Sequence, residues 1–339
     1  MNKKIGNQTI KFASPPVIIS AASIAGKKEG EGPLKKYFDV ILSDNLKGEK
    51  SWEKAESKIV ENTIKIAVYK AGLTIDDIDY IFGGDLLNQD TGSTFGVRNF
   101  KRPFFGLFGA CSTMGEAMGL AAMAIDGGFA KNVIAGASSH FCASEKQFRF
   151  PLDMGNQRPQ SSTWTITGDG TVVISNKGSG PRITHVTAGK IVDLGVKDAN
   201  NMGAAMAPAA CDTIVTHLKD TKRSPNYYDL IVTGDLGYVG HTLLKQLLAQ
   251  EGIYINEEKI TDCGIEIFNK TAQDTHSGGS GCACSAVTFC GYFYPKLKTG
   301  ELKNILFIPT GALMSTTSNG QGESIPGIAH AIAIESRVK

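Results

Sequence analysis

The chain has little of what marks a membrane, secreted or nucleic-acid-binding protein. Its longest uncharged stretch, residues 275–295, carries a Gly-Gly-Ser-Gly segment and is too polar and too broken to span a bilayer. Its seven cysteines form no Cys-x-x-Cys pair, and an odd number in mostly apolar surroundings favours free thiols in a reducing compartment. The 35 basic and 33 acidic residues leave a net charge of +2 and no dense basic run, so a nucleic-acid or polybasic membrane role has no support.

Proline is also scarce, at 12 residues against 39 glycines, while 42% of the 339 residues are hydrophobic and 20% are charged. This is the composition of a globular protein with many tight turns, long enough for one large domain or two ordinary ones. An apolar run at residues 17–25 follows Pro15 and Pro16, which favours a first strand over a signal peptide. No Asp-x-Asp-x-Asp-Gly calcium loop occurs, and we predict neither a metal site nor a cofactor.

An internal repeat organises the chain. The segment DYIFGGDL at 79–86 returns as DLIVTGDL at 229–236, 150 positions later, and GACS at 109–112 is echoed by CACS at 282–285. A third pair, KNVI at 131–134 and KNIL at 303–306, follows in the same order. Such self-similarity indicates two copies of one structural unit. We place the junction near the GSGP turn at 178–181, which gives an N-terminal half at 1–180 and a C-terminal half at 181–339.

Within each half the hydrophobic pattern alternates between helix and strand. Ser51 is a candidate N-cap for a helix to about Lys70, and short apolar strands follow at 78–82 and 104–108. A helix at 209–218 and a strand at 230–233 repeat this order in the second half. Helices alternating with short apolar strands predict an α/β fold, and two such units related by a pseudo-twofold predict a five-layer α/β/α/β/α sandwich.

Cys111 stands between the strand at 104–108 and a predicted helix at 113–125. Unpaired backbone N–H groups and the positive end of the macrodipole favour a thiolate at such a helix start, so Cys111 is a candidate nucleophile. The same groups would hold a ligand carboxylate equally well. The alternative interpretation is a small apolar residue that fills a tight turn, which is how we interpret its counterpart Cys284.

The duplicated halves and the cysteine at the head of the helix resemble the thiolase superfamily, which includes 3-oxoacyl synthase III and hydroxymethylglutaryl-CoA synthase. The resemblance covers the whole chain and implies a thiolase-like fold of two duplicated halves. In that family the cysteine is acylated, while a histidine and an asparagine or second histidine from the other half activate it and bind the thioester oxyanion.

At the positions of those helpers the sequence departs from the family pattern. The histidine motif is replaced by GDLG at 234–237, and the asparagine motif falls near Ser280. Asp235 would disfavour a thiolate, and Ser280 is a poor substitute for an oxyanion-binding asparagine. The stretch that holds a second cysteine in thiolases reads IPGIAH at 325–330, where His330 is either a substitute base or a structural histidine. We therefore expect no condensing activity, with Cys111 a vestigial nucleophile position.

Several strings together are similar to one branch of this superfamily, the stage V sporulation protein AD family. They are GDLLNQ at 84–89, LFGACST at 107–113, DGGFAK at 126–131, MGAAMAP at 202–208, GGSGCAC at 278–284 and ESIP at 323–326. One departure is Gly327, which stands where we expect a cysteine in relatives.

That resemblance implies a protein that binds dipicolinic acid, pyridine-2,6-dicarboxylate, alone or as its calcium chelate, and supports its uptake into the developing spore. It implies membrane-embedded partner proteins of the same uptake system and a homodimer. It also implies a soluble chain in the forespore or spore that associates peripherally with the inner spore membrane.

The alternative function is that of an acyl-transferring enzyme that uses Cys111 with atypical helpers. A structural partner of a membrane complex with a vestigial pocket is a third hypothesis.

A planar dianion needs a slot for its ring and donors at two carboxylates. The sequence offers a helix start at Cys111 and Ser112, a glycine-rich nest at 278–281, a guanidinium at Arg149, and His140 at a strand end. For Arg149 a surface ion pair on a long loop between 144 and 162 is an equal alternative. The predicted ligand-binding residues are Cys111, Ser112, His140, Arg149, Asp235, Ser280 and His330.

Overall fold

The structure is a computed structural model, and it describes residues 3–148 and 157–336. Its strands are β1 Lys4–Ile5, β2 Thr9–Lys11, β3 Val17–Ala25, β4 Val40–Ile41, β5 Tyr80–Gly84, β6 Phe104–Gly106, β7 Asn132–Ser139, β8 Trp164–Thr165, β9 Gly168–Ser175, β10 Arg182–Thr187, β11 Leu230–Thr233, β12 Ile260–Asp262, β13 Gly279–Ser280, β14 Asn304–Ile308, β15 Thr310–Ala312, β16 Gly327–Ala329 and β17 Ala331–Glu335. Its helices are α1 Trp52–Lys70, α2 Thr91–Val97, α3 Thr113–Asp126, α4 Phe141–Phe148, α5 Met202–Thr221, α6 Gly237–Gln250, α7 Cys263–Glu266, α8 Cys282–Thr288, α9 Tyr294–Thr299 and α10 Thr316–Gly320.

One strand order occurs twice in the main sheet. It is β3-β9-β7-β5-β6 in the first block and β10-β17-β14-β11-β12 in the second. In both blocks the first two neighbouring pairs are antiparallel and the last two are parallel. The two blocks meet where Val17 of β3 pairs with Arg182 of β10. The repeat in the sequence is therefore also a repeat of topology.

Helices cover both faces of each block. Helices α1 and α2 pack beside the first block, α5 and α6 pack beside the second, and α3 and α8 lie between the two. The inner layer continues through a π-helical segment, Phe289–Phe293, whose Phe289 ring lies 4.8 Å from the ring of Phe307 in β14. The apolar face of α3, the helix predicted at 113–125, is buried at Met114, Met118, Ala121, Ala122 and Ile125. The α/β/α/β/α layering is the one that the repeat predicts.

The predicted helices and strands are present in the structure. Several of them begin or end at residues other than those that the local hydrophobic pattern predicts. Ser51 caps α1, since its side chain accepts a hydrogen bond from the N–H of Lys54 at 3.4 Å. The first half's predicted strands end elsewhere: β5 runs to Gly84, and β6 stops at Gly106, with residues 107–109 leading into a 3-10 turn. The second-half helix begins at Met202 rather than at 209, because Asn201 caps it and Pro208 is accommodated inside α5.

Helix α8 lies so close to β9 that one position in the strand admits no side chain. A Cβ atom on Gly170 would lie 2.2 Å from the backbone carbon and oxygen of Ala286. We expect Gly170→Ala to lower the free energy of unfolding by roughly 1–3 kcal/mol, because the helix must shift away from the sheet. Urea denaturation measures this loss. Gly320→Ala is the matched control, since its Cβ meets nothing within 4 Å, and an equal loss in both variants would contradict the close approach.

Candidate functional site

Cys111 lies in a tight turn between β6 and α3. The turn is the 3-10 segment Ala110–Ser112, and Ala110 adopts a left-handed backbone with a φ of 48°. Two hydroxyls hold this conformation, because Thr113 Oγ1 donates to the carbonyl of Ala110 at 2.7 Å and Ser112 Oγ donates within the same turn at 2.7 Å. The Ser112 hydroxyl, predicted to contact a ligand, donates within the turn, and Ser112 does not line the pocket described below. The Cys111 side chain is 5% exposed.

Residues from the second half meet Cys111 at this turn. The thiol Sγ lies 3.8 Å from Ser280 Oγ, and Ser280 Oγ donates to Asp235 Oδ2 at 2.6 Å. Asp235 Oδ2 also accepts from the N–H of Gly281 at 3.1 Å, and its Oδ1 accepts from Thr310 Oγ1 at 2.8 Å. Three positions far apart in sequence, 111, 235 and 280, are therefore joined in one buried network.

The environment of Cys111 disfavours its thiolate. Burial raises the pKa of the thiol well above its ordinary value, and the adjacent Asp235 carboxyl raises it further by charge repulsion and by a side-chain hydrogen bond. Burial and the neighbouring carboxyl therefore act against the thiolate that the helix start was expected to favour. Burial also raises the pKa of Asp235, while the donors from Ser280, Cys111 and Thr310 partly offset that rise.

Cys111 and Ser280 line a pocket that opens at the junction of the two halves. Counting the solvent at its mouth, the pocket holds about 480 Å³ of empty space. Its lining residues are Leu86, Phe108, Ala110, Cys111, Ser144, Glu145, Phe148, Thr165, Met202, Ser280, Gly281, Ala312 and Met314. Two phenylalanines and two methionines supply apolar walls, and a few hydroxyl, thiol and carboxyl groups supply polar surface.

The pocket does not include every predicted residue. His140 is fully buried at the end of β7, where its Nε2 lies 2.7 Å from the carbonyl of Asn45, and burial lowers its pKa. His330 Nδ1 accepts from the N–H of Gly189 at 3.2 Å, and burial lowers its pKa to about 4. Neither histidine lines the pocket. Arg149 lies outside the described residues.

The glycine-rich segment at 278–281 forms a strand rather than an anion-binding nest. Gly279 and Ser280 pair in parallel with Trp164 and Thr165. The next N–H, that of Gly281, donates to the Asp235 network. The N–H groups of Gly278 and Gly281 are thus engaged within the protein, and Ser280 and Gly281 are the members of the segment that line the pocket.

Sequence reasoning missed most of the pocket wall. Ser144, Glu145 and Phe148 lie on α4, within a stretch that we expected to be loop from 144 onward. Thr165 Oγ1 donates to Glu145 Oε1 at 2.9 Å, a contact between elements that no local pattern indicates. Three other lining residues belong to the motifs quoted above: Leu86, Phe108 and Met202. They follow the ends of strands or begin a helix, and these are the places where ligand sites form in α/β folds. Their position was therefore the signal by which the sequence could have indicated them.

Gly327, where we expect a cysteine in relatives, contacts the outer helix of the second half and does not line the pocket. It lies in β16 opposite Ala312, and a Cβ atom there would come within 2.6 Å of the carbonyl oxygen of Ala205. A side chain at 327 would therefore require α5 to shift. Over the ranges 3–148 and 157–336, no three or more His, Cys, Asp or Glu side chains are grouped to hold a metal ion.

Comparison with known proteins agrees with this architecture. The model of the stage V sporulation protein AD family matches residues 6–335. Stage V sporulation protein AD of Bacillus subtilis (strain 168) is 44% identical over 333 residues, which cover 98% of each chain.

Solved structures share the fold at low sequence identity. The 3-oxoacyl-[acyl-carrier-protein] synthase III of Aquifex aeolicus VF5 superposes with a TM-score of 0.60 at 14% identity, covering 94% of this chain and 99% of that one. Cerulenin-bound OleA of Xanthomonas campestris superposes with a TM-score of 0.58 at 15% identity, covering 96% of this chain and 97% of that one. The mixed α/β, thiolase-like fold is thereby confirmed. With a family model and a full-length relative in agreement, the chain belongs to the stage V sporulation protein AD family.

Proposed function

We propose that this chain is a binding protein for dipicolinic acid, that it holds the ligand in the Cys111 pocket, and that it supports uptake of the ligand into the developing spore without condensing activity. The observation that carries the proposal is the pocket beside Cys111, which combines apolar phenylalanine and methionine side chains with a few polar groups in a chain of a sporulation family.

The absence of condensing activity rests on the chemistry around the thiol. A condensing cysteine must be available as a thiolate, and here burial and Asp235 raise the pKa of the Cys111 thiol. His330, the candidate substitute base, lies outside the pocket lining, and so does His140. The Ser280 hydroxyl, 3.8 Å from the thiol, already donates to Asp235. The network fits a protonated thiol that helps shape a pocket.

Cys111→Phe should abolish binding, since a phenyl ring in place of the thiol fills the pocket. We expect the dissociation constant for dipicolinate, measured by titration calorimetry, to rise by about 100-fold or more. Cys111→Ala is the control, because it removes the thiol without filling the space and should leave binding within about tenfold, the effect of one hydrogen bond. Equal binding by the parent and Cys111→Phe would place the ligand elsewhere.

A second candidate function is acyl transfer, and the position of Cys111 at the head of α3 within the pocket favours it. Incubation with a series of acyl-CoA thioesters followed by intact-mass measurement distinguishes the two. A binding protein stays at its unmodified mass. A stoichiometric acyl adduct on the parent that is missing from Cys111→Ala would establish the enzyme and contradict the binding-only proposal.

For the uptake role we propose membrane-embedded partners and a peripheral position at the inner spore membrane. Over the described ranges no helix is long and apolar enough to cross a bilayer, so partners in the membrane would provide the path for the ligand. The proposal is supported by the sporulation family and by the ligand pocket. Spores made with Cys111→Phe in place of the parent should contain markedly less dipicolinate, and normal content would contradict the role in uptake.

A further inference from the structure

A strip of polar groups crosses the pocket wall, made up of Ser144, Glu145, Thr165 and Ser280. Two of its three hydroxyls are committed within the protein. Ser280 Oγ donates to Asp235 at 2.6 Å, and Thr165 Oγ1 donates to Glu145 at 2.9 Å. Their hydrogens are thus not available to a ligand that enters the pocket.

Ser144 is the exception in this strip. Its side chain is 1% exposed, and its Oγ has no hydrogen-bond partner among the described residues, although its backbone N–H donates to the carbonyl of His140 at 2.9 Å. A buried hydroxyl without a partner costs free energy, so such groups are rare unless something else satisfies them. This one lies on α4 and lines the pocket.

We infer that Ser144 is a ligand-contacting residue whose hydroxyl donates a hydrogen bond to an acceptor oxygen of a bound ring carboxylate. The inference rests on the proposed function, since it assigns a contact within the same site. Because the hydroxyl has no hydrogen-bond partner among the described residues, a carboxylate bound in the pocket would supply one. The hydroxyl therefore contributes to affinity and selects ligands that carry an acceptor at this wall.

Ser285 provides a matched control. Like Ser144 it is 1% exposed and its Oγ has no partner among the described residues, but it lies on α8 and does not line the pocket. Removing either hydroxyl removes one unsatisfied buried group, so neither Ser144→Ala nor Ser285→Ala should lower the unfolding temperature. Only Ser144→Ala should weaken the ligand.

The test is calorimetric titration of dipicolinate into the parent, Ser144→Ala and Ser285→Ala, with thermal unfolding of all three. We expect the dissociation constant to rise about tenfold or more in Ser144→Ala and to stay within about twofold in Ser285→Ala. Binding by the parent with no difference between the two variants would overturn the inference and leave the proposed function standing. A large loss of stability in Ser144→Ala alone would also overturn it, since the hydroxyl would then be structural. No binding by the parent would contradict both.

Discussion

Asp235→Ala should lower the free energy of unfolding by about 3–5 kcal/mol, one of the largest losses expected from a single change in this chain. The substitution leaves the Ser280 hydroxyl, the Gly281 N–H and the Thr310 hydroxyl without the carboxyl that accepts from them, and each buried donor left unpaired costs roughly 1–3 kcal/mol. Urea denaturation at neutral pH measures the difference.

The control for this loss is an aspartate at the surface. Asp76→Ala removes a carboxyl that is 82% exposed and paired with Arg102, and exposed ion pairs contribute roughly 0–1 kcal/mol. If Asp235→Ala were no more destabilising than Asp76→Ala, the buried network around Cys111 would not exist in solution.

Asp235→Asn adds a chemical readout, because loss of the charge should lower the pKa of the Cys111 thiol and speed its alkylation by iodoacetamide.

The second large effect concerns pH. Asp169 lies buried in β9, where Thr171 Oγ1 donates to its Oδ1 at 2.7 Å, and burial raises its pKa to about 7. In the unfolded chain the Asp169 carboxyl ionises near pH 4, whereas in the folded protein burial keeps it protonated up to about pH 7. The stability that this raised pKa contributes is therefore fully present below about pH 4 and is lost as the pH rises to about 7. Asp169→Asn has no such loss. Its stability relative to the parent should therefore rise by roughly 2–4 kcal/mol between pH 4 and pH 7 and stay level above.

Denaturation of both proteins at pH 5 and pH 8 checks this expectation. Asp77→Asn is the control, since hydrogen bonds from Thr74 lower the pKa of this exposed carboxyl, so it should show no gain at high pH. A stability difference between Asp169→Asn and the parent that is the same at both pH values would mean that Asp169 is ionised in the folded protein, contrary to its burial.

The sequence predicts the architecture well because the determinants are local or repeated. The cap at Ser51, the apolar spacing of α3 and the strand at 230–233 each follow from a few neighbouring residues. The repeat carries the same order of elements into both halves, and even its details recur: Asp79 accepts from the N–H groups of residues 131 and 132, and Asp229 accepts from those of 303 and 304.

The site was harder to predict because its contacts are long-range. Cys111, Asp235 and Ser280 were brought together by a family resemblance and not by spacing, and Thr310, which donates to Asp235, has no local signal at all. The glycines at 278–281 suggested a nest, but pairing with β8 turned the segment into a strand. The pocket wall on α4 was expected to be loop, since eight helical residues between a strand and a long connection show little periodicity.

The central claim, that the Cys111 pocket binds a ring dicarboxylate, is tested most directly by titrating dipicolinate into the parent protein in a calorimeter, with and without calcium. The account predicts saturable heat that corresponds to one ligand per chain in at least one of the two conditions, and competition with any reagent that modifies Cys111. An absence of heat at millimolar dipicolinate in both conditions would contradict it.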